Sequence, residues 1–335
     1  MRALLICRPG PALITFVAAC ASFESPDIVI DTRVLAMSAT VPDQVIDIDL
    51  SMGQPQPADL LDQMVPSTMC ALVADPTFDR RLRFSMTLCQ RCDEGCCEGG
   101  ARVALTEGFI EDPDIAIPAP EMCATVEPDG NLLGIVLQIL EADTFMGLGG
   151  IDYGVVLQVG GEGEDPALDQ IAGKTLRLNP RIPAEVTANA NPSLDRFDAA
   201  PYTEDSRTMD PFPLPMGRCV DQIAPLELVP TQRVRITPVE TEGTRETYVV
   251  PTIDGEGQTF TESPTYQWLA VAGSYSSGST GGPRDFSGNP APLFSEFRAP
   301  RAEDLDGPTD IPLWIIQRDE RLGATWYETC IRVVP

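Results

Sequence analysis

Apolar and polar residues alternate along much of this chain. In Ile46-Asp47-Ile48-Asp49-Leu50 every second residue is apolar, the period of a strand with one buried face, which predicts a strand over Gln44 to Met52. Similar short runs occur at Arg33 to Pro42, Cys70 to Pro76, Arg81 to Cys89, Asp152 to Gly160, Lys174 to Pro180 and Arg233 to Val239. They recur at Arg245 to Pro251, Thr265 to Gly273, Ile311 to Asp319 and Ala324 to Val334. Turn signals such as Ile253-Asp254-Gly255 and Asp306-Gly307 lie between them, since glycine accepts the positive φ that tight turns need. Asn131 to Leu140 fits a helix or a buried strand equally well. Short strands at regular spacing, in a chain with 32 prolines and 27 glycines, predict an all-β fold of antiparallel sandwiches. Asn189-Ala190-Asn191-Pro192 breaks the alternation, so the expected domains are 31–192 and 193–335.

The amino terminus follows a different pattern. Arg2 and Arg8 precede the short apolar run Pro11 to Ala19, too short to span a bilayer but suited to the apolar region of a signal peptide. The run ends in Val17-Ala18-Ala19-Cys20, which resembles the lipobox of bacterial lipoproteins. That resemblance implies a signal peptide over 1–19, acylation of Cys20, a tether over 20–30 and membrane attachment through the lipidated cysteine. Several acyl chains anchor durably, each buried methylene contributing about 0.8 kcal/mol. Ala21 and Ser22 follow the cysteine without an aspartate, which resembles outer-membrane sorting in the bacterial cell envelope.

A second resemblance concerns the sandwiches. "TYQWLAVAGSYS" and "PLWIIQRDERLGATWYETCIRVV" look like the Trp-bearing middle strand and last hairpin of immunoglobulin-like or PKD-like modules of bacterial surface proteins. "RVLAMSATVP" with "CALVADP", and "KTLRLNPRIP" with "NANPSLD", resemble features of two-domain envelope lipoproteins. The family implies two immunoglobulin-like β-sandwich domains and an envelope location, and no activity. The chain departs from antibody domains in lacking a cysteine pair placed to pin the two sheets through Trp268.

Charge and cysteines narrow the chemistry. The net charge is −27, and removing residues 1–19 would deepen it by two, because two arginines and no acid are lost. Such a field repels nucleic acid, so none is expected as a partner. Beyond Cys7 and Cys20 stand Cys70, Cys89, Cys92, Cys96, Cys97, Cys123, Cys219 and Cys330, an even number in a chain read as exported, which predicts disulfides. Cys219 and Cys330 are alone in the second half and pair by elimination. The other six allow about 15 connectivities, left open. A zinc knuckle at Cys89 to Cys97 is disfavoured because Cys96 and Cys97 are adjacent and cannot readily converge on one ion.

The absence of histidine excludes serine–histidine triads and removes the commonest general base. "AGKT" (Ala172 to Thr175) lacks the glycine that a phosphate-binding loop requires, Leu168 standing in its place. "DLDGPTD" (Asp304 to Asp310) misses the EF-hand spacing. No cofactor and no metal are therefore expected. Trp268, Trp314 and Trp326 lie in strand runs and read as core residues. The long loop Ser274 to Pro292, with Tyr275 and Phe286, is the candidate binding loop, although a plain flexible connection is the simpler reading. The expected function is non-enzymatic: a lipid-anchored envelope protein that binds or scaffolds an envelope protein or glycan. The alternative is a polysaccharide-directed surface protein, carbohydrate-binding or a carboxylate-based glycoside hydrolase.

Overall fold

The computed structural model describes residues 25–47, 57–76, 80–90, 97, 100–110, 116–117, 122–145, 147–203, 207–252 and 257–335. The first half holds β1 (Arg33–Ala39), β2 (Asp43–Ile46), α1 (Pro57–Leu61), β3 (Ser67–Ala74), β4 (Leu82–Gln90) and β5 (Arg102–Ile110). It continues with β6 (Ala116–Ile117), β7 (Cys123–Val126), α2 (Gly130–Ala142), β8 (Ile151–Gly161) and β9 (Gln170–Pro180). The second half holds β10 (Leu194–Pro201), β11 (Phe212–Pro213), β12 (Leu226–Leu228), β13 (Arg233–Glu240), β14 (Thr247–Pro251) and β15 (Gly257–Thr261). It ends with β16 (Thr265–Ala270), β17 (Ser274–Tyr275), β18 (Ser279–Gly281), β19 (Ser295–Arg298), β20 (Thr309–Arg318) and β21 (Ala324–Val333).

Two sandwiches result, built on one plan. In the first, sheet β2-β9-β8-β4-β5 faces a smaller sheet in which β1, β6 and β7 all pair with β3. In the second, β12-β21-β20-β16-β18 faces β11-β10-β13-β19-β17. The sheets β2-β9-β8-β4-β5 and β12-β21-β20-β16-β18 match strand for strand, with β4, β8 and β9 and likewise β16, β20 and β21 in the order seen in immunoglobulin domains. Pairing between these strands is antiparallel except at matching edges, where β2 runs parallel to β9 and β12 parallel to β21. The β14–β15 hairpin forms its own two-stranded sheet.

Side-chain alternation explains the layers. In β4, Leu82, Phe84, Met86 and Leu88 turn inward, while Arg83, Ser85 and Thr87 face outward. Each fully buried aliphatic side chain contributes about 1.5–3 kcal/mol, which fixes the register because a one-residue slip would expose the whole set. The ambiguous stretch near residue 131 is helical. Asp129 caps α2 by accepting from the backbone N–H groups of Asn131 and Leu132 at 2.9 and 3.0 Å, and Leu132, Ile135 and Val136 form its buried face. That face packs on β4 and β8. In the second core Trp268 is fully buried, its ring 6.1 Å from Phe197, and its indole N–H donates to Thr280 Oγ1 at 2.8 Å.

One element is shorter than its pattern: the strand expected over Gln44 to Met52 is the four-residue β2, and residues 48–52 lie outside those described. The turn Ile253-Asp254-Gly255 also lies outside them. Among the described residues no helix is long and apolar enough to cross a membrane.

Candidate functional site at the seam between the sandwiches

The two sandwiches meet along a seam with an apolar stripe and a polar end. Val29, Leu35, Ala36, Leu72 and Ala74 pack with Leu269, Trp314 and Ile316 from the second sandwich in one buried cluster, and Trp326 lies against it. The outer faces of β1 and β3 are therefore covered by β16 and β20. Ahead of β1, Ile28 bridges in parallel to Ala270, and Val29 N–H donates to the Ala270 carbonyl at 2.8 Å.

The polar end is organised by the turn joining β20 to β21, residues 319–323. Its Leu322 adopts φ of 80°, a left-handed conformation that costs a non-glycine residue about 1–2 kcal/mol and persists only where surrounding contacts hold it. Those contacts are present. Asp319 Oδ1 accepts from the N–H groups of Arg321 and Gly323, both at 2.7 Å, and the Leu322 carbonyl accepts from Lys174 Nζ. Ser38 Oγ donates to the Ala324 carbonyl at 2.6 Å, and Arg318 donates to the Leu35 carbonyl at 3.3 Å. The connection between the sandwiches is stitched in as well. Asn191 Nδ2 donates to the Ala39 carbonyl at 2.7 Å, while its Oδ1 accepts from Ala324 N–H at 3.0 Å. Asn189 Nδ2 donates to Asp319 Oδ2 at 3.0 Å and to the Arg321 carbonyl at 2.9 Å.

Arg321 is the centre of this arrangement. Its guanidinium lies 3.7 Å from Asp43, 3.3 Å from Glu246 and 3.8 Å from Glu262, donates to the Thr187 carbonyl at 2.6 Å, and stacks 4.8 Å from the Tyr248 ring centre. Burial pushes Asp43 upward from its usual range, opposed by the Asn189 N–H and by Arg321. Burial likewise pushes Glu262 up to about 7. Lys174, the chain's single lysine, is pushed down to about 8 by burial, against the pull of Asp319. Two clefts open on the seam. One of about 440 Å³ runs past Lys174 between β1, β9 and the turn; the other, about 490 Å³, is walled by Asp43, Arg177, Tyr248 and Arg321. "AGKT" is thus part of β9, and its lysine cross-links two sandwiches.

The residues singled out in the sequence lie elsewhere. Tyr275 does not line a surface loop. It packs 6.2 Å from Trp268 and 5.4 Å from Phe297 in ring-to-ring distance, and its hydroxyl donates to the Leu269 carbonyl at 3.2 Å. Its place on β17, opposite Phe297, turns the ring into the core, so it is removed from the candidate binding loop. Phe286 is fully exposed on a turn in which Asp285 Oδ1 accepts from Ser287 and Asn289 N–H at 2.8 Å each. The structure does not bring Tyr275 and Phe286 together as one surface. Trp268 and Trp314 are fully buried. Asp310 pairs with Arg332 at 2.7 Å, and Asp304 caps a helical turn by accepting from Arg301 N–H at 3.3 Å.

Three disulfides lie among the described residues. Cys70 joins Cys123 across the neighbouring strands β3 and β7, Cys89 joins Cys97, and Cys219 joins Cys330. Cys89 is therefore not bonded to Cys92 as a Cys-x-x-Cys redox pair. Cys20, Cys92 and Cys96 lie outside the described residues. The seam residues Asp43, Asn189, Glu262 and Arg321 went unnoticed in the sequence. The one available signal was the Asn-x-Asn pair at the domain break, since asparagine side chains bond readily to backbone.

Neither a protein-family model nor a curated protein matches the chain. Among solved structures it is similar to the C-terminal domain of the Streptococcus agalactiae AgI/II polypeptide BspA, with 7% identity and a TM-score of 0.16, over 80% of this chain and 92% of that one. It is also similar to the collagen adhesin (CNA) from S. aureus, with 7% identity and a TM-score of 0.14, over 90% and 92%. Likeness at this level carries no functional argument. The fold assignment rests on the strand order, which makes the chain an all-β protein of two immunoglobulin-like sandwiches.

Proposed function

We propose that this chain is a non-enzymatic, lipid-anchored protein of the bacterial cell envelope, attached to the outer membrane through Cys20, whose two sandwiches act as one rigid binding or scaffolding unit. The observation that carries the reading is the seam. A buried apolar stripe, reinforced by side chains that bond across it, holds two modules at a set angle, as a scaffold requires. The lipobox resemblance at Val17 to Cys20 supplies the anchor. The first residue of the buried stripe, Val29, lies nine positions further on, so an anchored chain would hold it within about 32 Å of the lipid surface.

The test is to express the full chain and Cys20→Ala in a two-membrane bacterium with labelled fatty acid, then crosslink intact cells. Label on the native chain alone, together with a reproducible envelope-protein partner, supports the proposal. Label on neither chain overturns the anchor. Glycan-array binding without a protein partner favours the polysaccharide alternative, and turnover of a polysaccharide overturns the non-enzymatic reading.

A further inference from the structure

At the polar end of the seam the Arg321 guanidinium faces three carboxylates, Asp43, Glu246 and Glu262, and a fourth, Asp319, bonds to the backbone of the same turn. Three of the four have donors on both oxygens or on the oxygen facing the seam. Asp319 accepts from Arg321 N, Gly323 N and Asn189 Nδ2. Asp43 accepts from Asn189 N–H on one oxygen and from Asn179 Nδ2 at 3.1 Å on the other. Glu246 accepts from Ala190 N–H and Arg321 through the same oxygen, both at 3.3 Å. Glu262 differs. Only 2% of the residue is exposed, its Oε2 accepts from Glu246 N–H at 3.1 Å, and its Oε1 has no hydrogen-bond donor, Arg321 lying 3.8 Å away. Among the described residues no cluster of acids is placed to ligate a metal ion. A buried carboxylate oxygen without a donor, beside other carboxylates, is relieved most simply by a proton.

We infer that Glu262 is a proton-operated latch: protonated, it lets the 319–323 turn seat against the first sandwich, and its ionisation loosens the seam. The groups that face it are Arg321 and Asp319 from the turn and Glu246 and Tyr248 from the β14 side, while Asp43 of the first sandwich faces the same Arg321 guanidinium. Its position near pH 7 follows from burial first, then from the Asp319 and Glu246 charges, opposed by the Glu246 N–H and Arg321. The sign follows from linkage. A carboxyl held above its ordinary 4.5 favours the docked state fully below that value, and the advantage is lost as pH rises through about 7. Asp43, also raised, acts in the same direction. Lys174 acts in the opposite direction but titrates near 8, above this window.

Lys174 provides the probe, because it is the chain's single lysine and its Nζ is held by the Leu322 carbonyl of the turn. An amine-acylating reagent is applied to the native chain and to Glu262→Gln at matched pH, with the Lys174 peptide read by mass spectrometry. At pH about 7.5 the native lysine should react more than tenfold faster than in Glu262→Gln, and the ratio should shrink toward one as pH falls to about 4.5. Equal rates at both pH values, or a ratio independent of pH, would overturn the latch. Should Glu262→Gln fail to fold, hydrogen exchange on the native chain decides. The Arg321 and Gly323 amides, corrected for intrinsic exchange, should lose about tenfold in protection over the same range. Constant protection would refute the proposal.

Discussion

The centre of the second sandwich is aromatic. Phe197, Tyr266, Trp268 and Phe297 are fully buried there, and Tyr275 and Tyr327 close around them. At the corresponding place in the first sandwich stand Met64, Met69, Met86 and Met122 among leucines and valines, with Tyr153 and Phe84 as the aromatic members and no tryptophan. The sheets β2-β9-β8-β4-β5 and β12-β21-β20-β16-β18 share one strand order, so these sheets do not dictate the difference; the layers that face them differ. The helix dictates it. In the second sandwich β10, β13 and β19 cover the β12-β21-β20-β16-β18 sheet, and flat rings fill the gap between the two sheets. In the first, α2 covers part of that face, and a helix over a sheet leaves an uneven gap. Unbranched, adaptable methionine side chains fit such a gap better than rings do. Aromatic edge contacts hold one geometry, whereas the methionine core tolerates replacement.

The largest expected effect probes the aromatic side. Trp268→Ala should cost about 3–5 kcal/mol in denaturant unfolding, because it empties the middle of the core and leaves Thr280 Oγ1 without its indole donor. A loss under about 1 kcal/mol would mean that the rings do not organise this sandwich. Replacing Cys219 and Cys330 together with serine should cost about 2–4 kcal/mol, since the bond closes 111 residues of the second half. Met86→Leu should cost less than about 1.5 kcal/mol despite full burial. If it costs as much as Trp268→Phe, the contrast between the two cores fails. Asp129→Ala should cost about 1 kcal/mol by uncapping α2. The N–H groups of Leu132 and Asn131 hold this carboxyl below its usual range, so its contribution is present above the ordinary aspartate pKa and is lost as pH falls through the lowered one. Phe286→Ala should change stability by less than about 0.5 kcal/mol, its ring being wholly in solvent.

Strands that alternate were legible because burial on one face writes itself into the chain, as in β13 with Val234 and Ile236 inward between Arg233 and Arg235. The helix was half legible. Hydrophobicity alone could not separate α2 from a strand, yet Asp129 immediately before it is a cap signal. β5 was missed. It is an edge strand, fully buried only at its last residue, Ile110, so no continuous core face marks it. The parallel edges of β2 and β12 are two short pairings whose partners lie over a hundred residues away, and nothing local encodes them. The seam was illegible for the same reason. Asp43, Asn189, Glu262 and Arg321 are ordinary polar residues until the fold brings them together, and each then serves through a partner far along the chain. Tyr275 misled because its neighbours are glycine and serine; two residues of β17 suffice to turn it inward.

The bond between Cys219 and Cys330 also governs how the molecule would answer a protease. The exposed turn carrying Phe286 lies between the two cysteines. A cut there would leave β10 to β18 on one fragment and β19 to β21 on the other, yet the sulfur bridge would keep both in one particle. Such a nicked chain should migrate as intact on a gel until reductant is added, and every strand of the second sandwich would still have its neighbour.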